Sequence, residues 1–139
     1  MIPHWSQAYV GLPSEDFGPR PCWGLTTRVF YQQWGIVLPE FAADVSPAER
    51  EHIAAAFDRG RDAGPWREVP AGEARPFDVL VFRRGGLDAH VGIVAVPRRM
   101  LHVTSGLDCL IADYTTGCWA PRLSAVYRHP WVPEVSDAG

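Results

Sequence analysis

The chain contains no apolar run approaching the roughly 20 residues that a transmembrane helix needs, so membrane insertion is not expected. Its first residues, Met1-Ile2-Pro3-His4-Trp5-Ser6, carry neither a charged n-region nor an apolar h-region. A classical signal peptide is therefore not expected, and the reading is of a protein made in the cytoplasm. No basic stripe accompanies the formal net charge of −3, which removes the electrostatic support for nucleic-acid binding. Cysteine is scarce. Cys22, Cys109 and Cys118 are an odd set of 3, too few for a disulfide framework, and they read as free thiols. No CxxC or CxxH spacing occurs, so a structural zinc site is not expected and no cofactor is implied. Internal repeats and low-complexity tracts are also missing.

What is present suits one globular domain over residues 1–139, long enough to bury a core without staples. Apolar residues make up 47% and charged residues 21%, an ordinary globular balance. The 13 Pro and 13 Gly imply many turns, which favours short strands over a helical bundle. A short helical turn near 4–9 is expected, then a loop to Pro21, then a helix over about 23–34 with apolar i,i+4 pairs, closed by Gly35. Ser46-Pro47-Ala48-Glu49 reads as the start of a second helix that Gly60 stops. Residues 61–76 read as a loop. From Phe77 the period becomes that of strands: 77–83, 90–96, 100–104, 109–113 and 122–127, separated by turn formers. Helices first and an antiparallel meander afterwards predict an α+β fold.

Cys22 stands at the start of the first predicted helix. The unpaired N–H groups and positive dipole end there favour thiolate over thiol, which makes Cys22 a candidate nucleophile if a base lies near. His90 opens one strand and His102 sits in the next. Across a hairpin turning at Pro97-Arg98-Arg99 they fall at facing or diagonal positions. Such a pair suits a base, His90, oriented by a second imidazole, His102. A metal reading of His90, His102 and Cys109 stays open, although nothing in their spacing selects it. His4, His52 and His129 lack such context and read as surface or loop residues.

An ordered set of motifs then becomes specific. Tyr9-Val10-Gly11-Leu12-Pro13, Cys22-Trp23-Gly24-Leu25, Phe77-Asp78-Val79-Leu80-Val81-Phe82, His90-Val91-Gly92-Ile93 and Leu101-His102 resemble the NlpC/P60 cysteine peptidases over about residues 5–128. With Trp after the Cys, the chain looks like the phage-tail and gene-transfer-agent branch. The resemblance implies a papain-like α+β fold, a Cys helix packed on an antiparallel sheet. It implies Cys22 as nucleophile, His90 as general base and acid, and His102 as the orienting third residue. Tyr9 would stand near the nucleophile to position substrate or oxyanion, the Cys22 N–H would donate to the oxyanion, and Gly24 would let the helix approach the sheet. The implied activity is hydrolysis of amide bonds in peptidoglycan stem peptides, of the D-glutamyl–diaminopimelate type, with no cofactor. The implied partners are tail proteins of a virion or phage-like particle that opens the wall for DNA delivery. Two departures stand out: Pro21 precedes the Cys where the family commonly has Asp, and Phe77 precedes Asp78 where it often has Gly. Two other readings are an inactive structural tail component of the same fold and a Cys-His amidase or acyltransferase on another substrate.

Overall fold

Helix α1, Pro21–Trp34, begins on a proline at its first position, where a missing N–H costs nothing and the fixed φ suits the helix. It ends on Gly35, whose φ of 67° lets its N–H turn back to the carbonyl of Tyr31 at 2.9 Å. Leu25, Val29 and Phe30 are buried on its inner side. The computed structural model describes residues 4–38, 66–84 and 87–134. The helix expected from Ser46 to Gly60 lies outside the described residues.

Among the described residues six strands form one antiparallel sheet: β1 Arg67–Val69, β2 Val79–Arg84, β3 Leu87–Val96, β4 Arg99–His102, β5 Leu110–Asp113 and β6 Leu123–Arg128. Their order is β1-β6-β2-β3-β4-β5. The meander expected from the sequence holds from β2 to β5. The last strand, however, returns to the other side of β2. The expectation of a loop over 61–76 is corrected within the described residues, because Arg67–Val69 pairs with β6. Three residues with one buried side chain leave too short a period to read. The interior of the sheet is apolar on both faces. Val79, Val81, Val91 and Tyr127 pack with Trp23 and Phe30 of α1, while Leu80, Phe82, Val94, Met100 and Val126 pack together elsewhere. Such continuous burial explains the unbroken apolar middle of β2.

Two fixed points hold this frame. Asp78, at the foot of β2, accepts from both Arg128 Nε (3.0 Å) and Nη2 (2.8 Å), and from the Arg75 N–H at 2.8 Å. That charge-assisted fork joins the start of β2 to the end of β6. Phe77 beside it has a φ of 73°, the left-handed region that a glycine enters without strain. Its ring is stacked on Trp5 at 4.2 Å and meets the edge of Trp34 at 5.1 Å. Aromatic burial thus holds a backbone conformation that the side chain itself disfavours.

The N-terminal segment adds two 3-10 turns, Trp5–Ala8 and Ser14–Phe17, and clips to the loop before β5. Gly11 N–H donates to Cys109 O, and Cys109 N–H donates to Leu12 O, each at 2.8 Å. Gly24 packs against this segment. A Cβ there would lie 1.9 Å from the Phe17 carbonyl oxygen. The close approach is therefore between α1 and the Ser14–Phe17 turn, rather than between α1 and the sheet as the sequence suggested.

Candidate active site

Cys22 occupies the second position of α1, half-buried, against the cluster of Val79, Val81 and Val91. The helical hydrogen-bond ladder opens with Gly24 N–H donating to Arg20 O at 2.8 Å, so the N–H groups of Cys22 and Trp23 come before it. Thr26 and Thr27 return their hydroxyls to the carbonyls of Cys22 and Gly24, both at 2.9 Å, and fix the first turn. Pro21 is buried at the first position, so it pre-sets the helix start that carries the thiol.

His90 and His102 are both buried, at 4% and 5% exposure. In the observed register Ile93 faces Leu101, which sets His102 diagonal to His90 across the β3–β4 pair. Their rings meet at nearly a right angle, with His90 Nε2 3.2 Å from His102 Nδ1. Irregularities of register on both sides of β2 at Phe82, opposite His90, sharpen the twist at this end of the sheet.

Burial pushes the His102 imidazole down to about 4, so this ring is neutral near pH 7. Two imidazolium ions at that spacing would repel strongly, and a neutral His102 avoids the conflict. The facing nitrogens then share one proton. Only with the proton on His90 Nε2 and the lone pair on His102 Nδ1 does the bond survive when His90 gains a second proton at Nδ1. In that arrangement His102 carries its own proton on Nε2, a buried atom that finds no acceptor among the described residues.

An indole completes the cluster. Trp119 stacks on His90 with centroids 5.0 Å apart and planes 21° apart, and it meets His102 at 4.9 Å and 80°. Phe82 backs Trp119 at 5.0 Å. Nothing in sequence reasoning singled out Trp119, since it lies in the turn-rich stretch Thr115-Thr116-Gly117-Cys118-Trp119 with no periodicity. A large aromatic stranded among turn formers just ahead of the last strand was the available signal.

The Tyr9 hydroxyl finds hydrogen-bond partners further along α1. It donates to Gln32 Oε1 at 2.7 Å and accepts from Gln33 Nε2 at 3.2 Å. Those glutamines are ten and eleven residues along α1 from Cys22 in sequence, roughly 15 to 16 Å at the helical rise. Tyr9 belongs to the core with Phe17, Leu25 and Val29. Cys109 is buried in the same cluster, where burial pushes its thiol up to about 12. Among the described residues, no group of three His, Cys, Asp or Glu side chains gathers to hold a metal, and His102 Nδ1 already faces His90. His129 lies in the loop after β6, as expected, but not on the surface. It is buried between Trp66, at 4.9 Å, and Phe30, at 6.0 Å. His4 caps the first 3-10 turn, and His52 lies outside the described residues.

Against known proteins, residues 11–128 match the family model described as the NlpC/P60 family. A search of curated proteins gives no match. Among solved structures the chain is similar to a protein described as similar to lipoprotein, NLP/P60 family, from Staphylococcus aureus subsp. aureus Mu50. The identity is 24% and the TM-score 0.57, over 88% of this chain and 38% of that one. It is also similar to the NlpC/p60 domain of the peptidoglycan hydrolase SagA, at 20% identity and a TM-score of 0.54, over 88% of this chain and 92% of that one. At these identities the likeness speaks for the fold. The chain thus spans 38% of the length of the staphylococcal protein.

Proposed function

This chain belongs to the NlpC/P60 family, and from that premise we propose that it is a cysteine peptidase hydrolysing amide bonds of peptidoglycan stem peptides. The observation that carries the reading is the buried pair His90 Nε2 and His102 Nδ1, 3.2 Å apart, in a fold whose helix carries Cys22 at its second position. Cys22 Sγ is the nucleophile and His90 Nδ1 its base. Proton transfer gives thiolate and imidazolium, with the helix end favouring the first and the neutral His102 accepting from the second. Sγ attacks the amide carbonyl carbon, and the Cys22 N–H donates to the oxyanion. His90 Nδ1 returns its proton to the leaving amine as the C–N bond breaks, which leaves a thioester. Water, deprotonated by His90, then attacks the thioester carbon and releases the carboxylate product while Sγ recovers its proton.

The finer form of the proposal is a D-glutamyl–diaminopimelate type bond, cut by a hydrolase carried on a phage-like tail during DNA delivery. Its support is the Trp23 that directly follows Cys22. Zymography on purified peptidoglycan tests the activity: the wild-type chain clears the wall and Cys22→Ala does not. No clearing by either protein, or equal clearing by both, sinks the peptidase reading. Mass analysis of the released muropeptides identifies the bond. Fragments lacking a newly freed diaminopimelate or Lys amine would overturn the specificity.

A further inference from the structure

The mechanism above uses one face of the His90 ring system and leaves the role of its neighbour unaccounted for. Trp119 lies flat over His90 and presents a second contact to His102, so a single indole closes the corner that the two perpendicular imidazoles make. Its own place is fixed from both sides. Phe82, fully buried in β2, packs against its ring at 5.0 Å, and its carbonyl accepts the Arg122 N–H at 3.0 Å, which begins the Ala120–Arg122 3-10 turn.

We propose that Trp119 is a positioning residue for His90, holding the ring in its bond to His102 and favouring its imidazolium form through the indole face. Two physical terms support this. A ring stacked on one side and bonded through Nε2 can no longer turn about its Cβ–Cγ bond without losing both contacts, so Nδ1 keeps one direction. In addition, the negative face of an aromatic system attracts a cation within about 6 Å of its centroid, and the centroid separation here is 5.0 Å. The His102 ring, neutral by burial, offers a lone pair but no charge, whereas the indole face attracts the cation. Titratable groups facing His90 among the described residues include His102 from β4 and, in the reading proposed above, Cys22 from α1, which packs against β3. The catalytic consequence rests on that reading; the effect on His90 itself does not.

The test is an NMR titration of His90 in histidine-labelled protein carrying Trp119, Trp119→Phe or Trp119→Leu, each in a Cys22→Ala chain so that no thiol titrates with it. The proton affinity of His90 is expected to fall in the order Trp, Phe, Leu, by about ten-fold for Leu. The neutral ring is expected to hold its proton on Nε2 with Trp119 and to mix tautomers with Leu. If shielding from water were the main effect of the indole, Trp119→Leu would raise the proton affinity, and that result overturns the proposal. Identical titrations and tautomers in all three overturn it as well. Should the Leu variant fail to fold, Trp119→Phe still decides, since it keeps a ring of nearly the same packing with a weaker face. Failure of wall clearing with the predicted order in His90 would sink the peptidase reading alone.

Discussion

Among the three cysteines, three environments set three reactivities. Cys22 sits in the first turn of α1, half-buried, where the helix end favours its thiolate. Cys118 is exposed and lies in a turn, outside any α-helix. Cys109 is 1% exposed and burial pushes its thiol up to about 12. Iodoacetamide at pH 6 to 7 should therefore label Cys22 first, Cys118 several-fold more slowly, and Cys109 only after denaturation, as peptide mass analysis would read. Faster labelling of Cys118 than of Cys22 would remove the proposed activation. In the proposed mechanism His102 acts by the acceptor it offers at Nδ1. His102→Gln keeps an acceptor on a similar stem and should lose about ten-fold in kcat/KM, whereas His102→Leu should lose about a hundred-fold or more because His90 then loses the bond that aims its ring. Equal losses in the two variants would reduce His102 to packing. The histidine pair was legible in the sequence because a strand's period of two and a short turn fix which residues meet. Trp119 and the Tyr9 hydroxyl were not, because their partners are set by loops whose course no periodicity encodes.

Elements tell a similar story about Gly24. Leu25, Val29 and Phe30 made α1 readable from their spacing, but the spacing is silent on what crosses the helix at its first turn. The structure puts the Phe17 carbonyl there, 1.9 Å from where a Cβ would stand, so the neighbour is backbone and has no side-chain end to move aside. Gly24→Ala should cost about 2 to 3 kcal/mol of unfolding free energy by forcing α1 off the Ser14–Phe17 turn. Because Cys22 is only two residues away, its alkylation rate at pH 6 should drop together with stability. Urea unfolding and alkylation of the same sample check this, and an unchanged midpoint would mean that the turn yields without cost. Phe77 teaches the converse. It stands where the family often has Gly, and its ring is the piece that Trp5 and Trp34 enclose. Sequence carries the identity of that residue and its φ remains invisible until the fold is known. β1 was hidden for a different reason, since its pairing with β6 is made by backbone groups of Arg67 to Val69 that no apolar alternation marks.

For the molecule as a whole, the neutral buried histidines tie stability to pH. His102 and His129 lie near opposite ends of the sheet, one beside His90 and one just past the end of β6 among Phe30, Trp66 and Trp131. Both imidazoles are held below the ordinary histidine range by burial, His102 at about 4. An unfolded chain takes up a proton at each site once the pH falls below about 6.5, and the folded chain resists doing so until lower pH. A depressed histidine pKa thus contributes nothing against unfolding by acid; it makes the folded state progressively less favoured as pH falls from about 6.5 towards about 4. For His102 the gap amounts to a penalty on the order of 3 kcal/mol at the acid end of that window, before relaxation reduces it. His129 adds a penalty of the same sign. Urea midpoints at pH 7.5, 6 and 4.5 should decline steadily, and His102→Gln should flatten the part of the decline that His102 causes. A midpoint that holds or rises on acidification would mean that both rings charge inside the fold, and with a charged His102 the acceptor for His90 Nε2–H would be gone.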